Sequence, residues 1–511
     1  MAFENPQGVA DTAATAGNRG VAYIRPELYA RFPDYNLIDD CVSGATAVKA
    51  GRTNYLPMPE PHDTSPKNVL RYSNYLGRAV FYNVTQRTAE GMLGEVFKRE
   101  PIIEAPTQLD GVVTDSDGSG IGLVQLGRDT VFKVIKHGRA GLFVDYPPVE
   151  GVASRAQLQA GNVRPTIGVY GAKAVINWRT KVVGAKTVLT LVVLVENYTV
   201  EDDGFETKVG VQYRELRLDA NGRYYVQLWR APDVTGTDYQ RYGVAYYPKD
   251  GRGNFLDAIP FTFIGSKDNE PSIDPPPMLD IANLNIGHFR NSADYEELVF
   301  LLGQPTLTIT GLTQEWYKQI LKEEIPFGSR NGLALPDGAK AELIQMQPNT
   351  VAKEAMEHKE RQMASLGARL IQEKQTQRTA FEAGLENAAE ESILVTIAKN
   401  VSSAMQWALE WCAVFLNVSE AAVKFELNTD FDLARLSLDD LAKVVKLWQS
   451  EATSFTEMRD ALRKAGIASQ TDDEARAEIE KDAAAAIERA AAEIGATTAA
   501  AGGLPGNVGS A

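Results

Sequence analysis

Cysteine is nearly missing from this chain. Its 511 residues hold two, Cys41 and Cys412, too few and too far apart for a disulfide framework, so maturation in a reducing compartment without covalent staples is expected. Histidine is almost as scarce: His62, His137, His288 and His358 are scattered, and none forms an HExxH pair or stands beside a cysteine at metal-ligand spacing. No window reaches eighteen apolar residues, and the opening MAFENPQG lacks a basic segment followed by an apolar run; neither a membrane span nor a secretion signal is expected. Positive charge is in deficit. With 52 Lys and Arg against 67 Asp and Glu, the net charge of -15 excludes a protein that grips phosphates over its whole surface.

Catalytic motifs are also lacking. There is no GxxxxGK[ST] loop and no GxSxG elbow, so nucleotide hydrolysis and serine-esterase chemistry have no foothold. Gly118-Ser119-Gly120-Ile121-Gly122 has neither the preceding strand nor the spacing of a dinucleotide loop, and reads as a flexible helix entry. Asp115 and Asp117 start like a calcium loop, but its twelfth position is Leu126, where a bidentate glutamate is required. No catalytic residue, metal site or cofactor is expected.

What is present is an ordinary globular composition, 44% hydrophobic, long enough for a large core divided into several parts, with an α+β reading. Residues 1–64, rich in Gly, Pro, Asn and Asp, read as an extended arm with helical turns. Residues 69–97 carry a helical pattern that Pro101 ends, and 121–137 form an amphipathic helix followed by a strand over 142–146. Strands then dominate: 187–196 is β-branched, and 210–218 and 224–230 flank the hairpin signal Asn221-Gly222. Residues 240–247 and 259–263 are expected to extend that sheet, mixed or antiparallel, up to Pro275, Pro276 and Pro277.

Behind those prolines the apolar series Leu279, Ile281, Leu284, Ile286, Phe289, Tyr295, Leu298, Leu302 predicts one helix over 278–302. At 1.5 Å per residue it is roughly 37 Å long, about twice an ordinary globular helix. Thr306-Leu307-Thr308-Ile309-Thr310 alternates as a strand does, 314–324 is helix-compatible, and Pro326, Gly328, Gly332 and Pro336-Asp337-Gly338 break the chain. Met356, Met363, Leu366 and Leu370 share one face of a further helix capped at Asn349 or Thr350. From Glu382 the chain is helical again, and Ser437 with Asp440 offers a capping box. Residues 472–493 hold eight acids and three bases among alanines, a net of -5.

Four segments taken together resemble a known family: FYNVTQRTAEGMLGEVFKREP (81–101), GRAGLFVDYP (138–147), INWR (176–179) and LNIGHFRNSADYEELVFLLGQPTLTITGL (284–312) are similar to segments of tailed-bacteriophage portal proteins. MQPNTVAKEAMEHKERQMASLGARLI (346–371) and LWQSEATSFTEMRDAL (447–462) resemble the family's late segments, whereas the alanine-rich tail departs from it. The resemblance spans roughly residues 40–470.

It implies a homo-oligomeric ring, usually of about twelve subunits, at one capsid vertex of a virion assembled in the host cytoplasm. Double-stranded DNA would be packaged and ejected through it, and terminase, head-tail adaptor and capsid protein would be its partners, with no membrane. The subunit would comprise an N-terminal arm (1–64), an α+β wing (65–277), a stem helix (278–302), a clip with a second stem helix (303–332), a wing return with tunnel helix and tunnel loop (333–381), a helical crown (382–470) and an acidic tail (471–511). Phe289 and Leu298, nine residues and so about 180° apart on the helix, are the candidate stem interface positions. Arg369, Lys374 and Arg378 are the candidate DNA-contact bases in a channel expected to be lined mainly by acids, which favours sliding over grip. The alternatives are a head-tail adaptor or other virion structural protein, which would not need both a long stem rod and a tunnel helix, and an enzyme, which should bring titratable groups together in a pocket.

Overall fold

The structure, a computed structural model, describes residues 20–146, 164–232, 238–302, 306–320, 337–344, 350–371, 392–418, 423–431, 438–450, 452–464 and 474–481, with isolated residues between. It is mixed helix and sheet, an α+β arrangement, and the chain divides into two compact units, 1–431 and 432–511.

The first unit begins with a correction. Residues expected as an extended arm with helical turns form a full helix, α1 (Phe32–Ser43), flanked by short helices at Pro26–Tyr29 and Ala45–Ala50. Phe32, Tyr35, Ile38 and Cys41 recur every third residue, so they share one face, and all four are buried. The turn-forming composition had hidden that period. Asp39 fastens α1 to the rest: its Oδ1 lies 3.0 Å from His137 Nε2 and 3.1 Å from Lys136 Nζ, and its Oδ2 lies 2.8 Å from Lys173 Nζ. Burial alone would raise the Asp39 pKa, but these partners outweigh it and hold the carboxyl well below the usual range, while burial keeps the His137 pKa below its ordinary value. An acid with a lowered folded pKa stabilises the fold above its unfolded pKa and loses that contribution as pH falls. Asp39→Asn is thus expected to lower stability by roughly 2–4 kcal/mol at pH 7, and the deficit against wild type should shrink between pH 5 and about pH 3. Melting curves across that range check it.

The stretch 69–97, expected to be helical, is divided in the structure. It forms two helices, α2 (Pro66–Arg78) and α3 (Val84–Val96). Ser65 caps the first through Asn68 N (3.3 Å), and Asn83 caps the second through Gln86 N (3.1 Å). The break between them is held by hydrogen bonds from a helix distant in sequence, described below.

Short strand β1 (Ile102–Glu104) precedes α4 (Leu123–His137) and β2 (Arg139–Asp145). Gly138 joins them at φ 69°, and a Cβ there would come within 2.6 Å of Pro275 O, so both the left-handed turn and the close approach require glycine. β2 is the centre of a three-stranded antiparallel sheet between β3 (Thr166–Gly171) and β9 (Phe261–Gly265). β9 therefore does not extend the larger sheet, as its position after the hairpins had led one to expect. That larger sheet is antiparallel and consists of β4 (Val175–Val183), β5 (Lys186–Asp202), β6 (Thr207–Leu218), β7 (Tyr224–Arg230) and β8 (Gln240–Tyr246) in sequence order. Its β6–β7 turn uses Asn221-Gly222, with Asp219 Oδ1 accepting from Asn221 N (2.8 Å) and Arg223 N (2.9 Å).

Two arginines connect these layers. Arg139, on β2, is wholly buried between the rings of Trp178 (4.3 Å) and Phe263 (4.1 Å) and donates to Pro271 O and Ser272 O at 2.7 and 2.6 Å. Arg214, on β6, donates to Glu196 Oε1 (2.7 Å) and Asp145 Oδ2 (3.1 Å), and Glu196 also accepts from Tyr170 OH (2.6 Å) and Gln212 Nε2 (2.7 Å). The three-stranded sheet is thereby joined to the five-stranded one.

Among the described residues, four helices and two more strand pairs complete the first unit. Helix α5 (Leu279–Leu302) leads to β10 (Thr306–Thr310), α6 (Gln314–Ile320), β11 (Lys340–Ile344) and α7 (Val351–Ile371). Strand β10 pairs antiparallel with β11 from Thr306↔Ile344 to Thr310↔Lys340. Core helix α8 (Ile393–Leu416), capped by Ser392, buries Leu394, Ile397, Val401, Met405, Leu409 and Cys412 against α4, β2 and β9, and β12 (Lys424–Glu426) pairs with β1. Both cysteines are buried and free.

The second unit contains α9 (Leu438–Gln449), α10 (Phe455–Lys464) and a helical stretch at 474–481. Ser437, the expected cap, lies outside the described residues. The capping box that is visible is Ser454 with Glu457: Glu457 N donates to Ser454 Oγ (3.2 Å) and Ser454 N to Glu457 Oε2 (2.9 Å). Residues 482–511 of the acidic tail also lie outside the described residues.

Candidate functional site

The site is built on α5, whose two ends have different surroundings. Up to Ala293 it is core: Ile281, Ala282, Ile286, Phe289 and Ala293 are buried, with Phe289 edge-on to Phe81 at 6.0 Å between ring centres. Buried polar groups on the same stretch hold the α2–α3 break. Asn285 Oδ1 accepts from Val84 N, Thr85 N and Thr85 Oγ1 at 3.2, 3.2 and 2.9 Å, and its Nδ2 donates to Tyr82 O at 2.8 Å. Ser292 Oγ accepts from Val80 N (3.1 Å) and lies 2.7 Å from Val80 O. The helix thus satisfies the backbone groups that the break leaves without helical partners. Nothing local in the sequence marks Asn285 and Ser292 for this; only the apposition of segments two hundred residues apart reveals it.

Beyond Ala293 the helix emerges. Asp294 Oδ1 accepts from Tyr75 OH (2.6 Å), Glu297 pairs with Arg78, and Val299, Phe300 and Leu301 are then 45–51% exposed. Of the two positions expected at an oligomer interface, Phe289 is wholly buried and serves the chain's own core, and Leu298 is half-buried at the start of the emerging apolar end. The opposition of nearly 180° between them is thus an opposition of surroundings.

Helix α7 runs back along α5. His288 Nε2 lies 3.1 Å from Glu360 Oε1, and Lys359 Nζ donates to Asn291 Oδ1 at 3.1 Å, so a later position on one helix meets an earlier position on the other. Met363 is buried, and Leu366 and Leu370 pack on the main core, which accounts for three of the four apolar positions that share a face; Met356 is half-buried. Gly367 lets α7 approach α3, because a Cβ there would meet Thr88 Cγ2 at 3.3 Å. The outward face of α7 carries Lys353, Arg361 and Arg369 against Glu354, Glu357 and Glu360, all exposed. This face is balanced in charge. Arg369 is exposed in the last turn, and Lys374 and Arg378 lie outside the described residues.

Residues 277–416 match the family model described as a domain of unknown function, DUF4055. The matched stretch starts at the last proline before α5 and ends with α8, so it takes in the long helix, the β10–β11 ribbon, α7 and the central core helix. No curated protein matches the chain.

Among the described residues no group of three or more His, Cys, Asp or Glu is placed to hold a metal ion. His62 and His358 are exposed, His137 and His288 are packed beside single carboxylates, and the two cysteine thiols are pushed up in pKa by burial, to about 12 at Cys41. The loop after Asp115 turns its carboxylates inward: Asp115 Oδ1 accepts from Gly118 N (2.9 Å) and Gly120 N (2.8 Å), and Asp117 Oδ1 from Ser119 N (2.8 Å). No described helix is long and apolar enough to cross a membrane.

Proposed function

We propose that this chain is a portal-type subunit that assembles into a ring, the conduit for packaging and ejecting duplex DNA at one capsid vertex. The observation that carries the reading is the course of α5: its first four turns are locked into the subunit core, its last two leave with an apolar surface exposed, and the chain returns along it as a charged helix. Such a rod spans from a core to a contact zone. A two-stranded ribbon alone is marginally stable in water, and an exposed apolar helix end is a contact surface, so both call for neighbours. A head-to-tail contact repeated around an axis supplies them and closes a ring.

In this reading residues 65–277 are the wing, with α8 packed into its core, α5 is the stem, the β10–β11 region the clip, α7 the tunnel helix, and the second unit, from 432 onward, the crown. The balanced outward face of α7 suits a surface past which DNA slides, since three exposed bases and three exposed acids on that face give phosphates no deep electrostatic well. Arg369, with Lys374 and Arg378 beyond it, would give weak, salt-screened contacts. Terminase, a head-tail adaptor and the capsid protein are the corresponding partners.

Negative-stain images and mass photometry of the purified full-length chain test this. Rings of about twelve subunits with a central hole are expected; a compact monomer at micromolar concentration would overturn the proposal.

A further inference from the structure

The five-stranded sheet carries two oppositely charged hairpin ends that point to a specific contact between neighbouring copies. Strand β5 is seventeen residues long, yet only its middle, 191–196, is continuously buried. Every residue of 179–187 and of 201–209 is exposed. These ends lie about 50 Å apart at the usual rise per residue of a strand.

The two ends are opposite in charge and alike in apolar content. The β4–β5 end holds Arg179, Lys181 and Lys186 and no acid, and among the described residues none of the three forms an ion pair. Between them Val182 and Val183 are 69% and 56% exposed. The β5–β6 end holds Glu201, Asp202, Asp203 and Glu206 with one base, Lys208, which is paired to Glu201 at 2.6 Å. At its turn Phe205 stands fully exposed, beside Val209 at 53%. That turn is rigid: Asp203 Oδ1 accepts from Phe205 N (2.8 Å) and Glu206 N (2.6 Å), and Asp202 Oδ1 from Gly204 N (2.9 Å). An aromatic held out by its own backbone bonds has no role in the subunit's core.

We propose that the acidic, Phe205-bearing end of one copy docks on the basic, valine-bearing end of the next. The sums are +3 and -3, both ends offer apolar surface to bury together, and opposite ends of one strand make the contact heterologous, the kind that propagates around a ring. Pairing of either end with its own copy is disfavoured, since it would bring like charges together. The inference rests on the ring reading above and names the neighbour-facing surface it requires.

Two variants of the full chain test it. Arg179→Glu, Lys181→Glu and Lys186→Glu together give a subunit with two acidic ends; Glu201→Lys, Asp202→Lys and Glu206→Lys give one with two basic ends, Asp203 being kept because it accepts two of the three bonds that hold the turn. All six positions are exposed, so circular dichroism should show native folding. Each variant alone is expected to self-associate at least about 10-fold more weakly than wild type by sedimentation velocity, and an equimolar mixture should recover association. Loss in each variant without recovery on mixing would overturn the contact. Rings that persist in both variants would also overturn it and leave the portal reading intact, whereas a wild-type chain that mixes and pairs as described but forms only open chains would keep the contact and overturn the portal reading.

Discussion

Leu298→Glu is expected to give a folded chain that no longer assembles, and Phe289→Glu a chain that does not fold. Phe289 is wholly buried against Phe81. Truncating such a phenylalanine costs about 3–5 kcal/mol, and an unpaired carboxylate in the same place adds its desolvation, which together consume most of a typical domain's stability. Leu298 is half-buried at the start of the emerging helix end, where a carboxylate reaches water in the free subunit and loses it only when a neighbour covers Val299, Phe300 and Leu301. The cost therefore falls on association, by roughly 100-fold or more if about 3 kcal/mol is lost per contact. Thermal melts and light scattering separate the two effects. A folded Phe289→Glu protein would contradict the packing of α5, and normal rings from Leu298→Glu would remove the helix end from the interface.

A comparable loss, this time within the subunit, is expected from Arg214→Met. Removing the guanidinium leaves Glu196 and Asp145 without their counter-charge between the two sheets, worth about 3–5 kcal/mol for a broken buried pair. The Asp145 pKa is raised, first by burial, with Arg214 pulling it down, so in the variant it rises further. An acid with a raised folded pKa contributes most at low pH and loses that contribution as pH rises through the folded pKa. The destabilisation should therefore be larger at pH 8 than at pH 5. Adding Glu196→Gln to Arg214→Met should recover part of it, because one buried charge then disappears; a variant equally destabilised at both pH values, with no recovery, would show that Arg214 acts through packing alone.

Several elements were legible before any tertiary contact was known, and for a common reason. The long helix behind Pro275–Pro277, the strand Thr306–Thr310 and the helix Val351–Ile371 are marked by short-range periodicity and by proline or glycine at their ends, which act within a few residues. Asn221-Gly222 likewise specified its hairpin locally. The break at 79–83 was different: its pattern stays helical on both sides, and the chain turns there because Asn285 and Ser292 satisfy its backbone from two hundred residues away. The capping signal Asn83-x-x-Gln86 was present in the sequence and is its only local trace.

By itself, then, the sequence determined the elements whose causes are local, the α+β class, and the absence of disulfides and of catalytic motifs. Tertiary structure alone decided which sheet Phe261–Gly265 joins, since a strand's partner is set by which hydrophobic face must be covered and not by its own residues. It also decided that Phe289 is core while the end of the same helix is surface, because burial depends on what a distant segment brings against each turn. The opposite charges at the two ends of β5 could be read in the sequence, but that they are exposed and far apart followed only once pairing had fixed the strand as one extended rod with a buried middle.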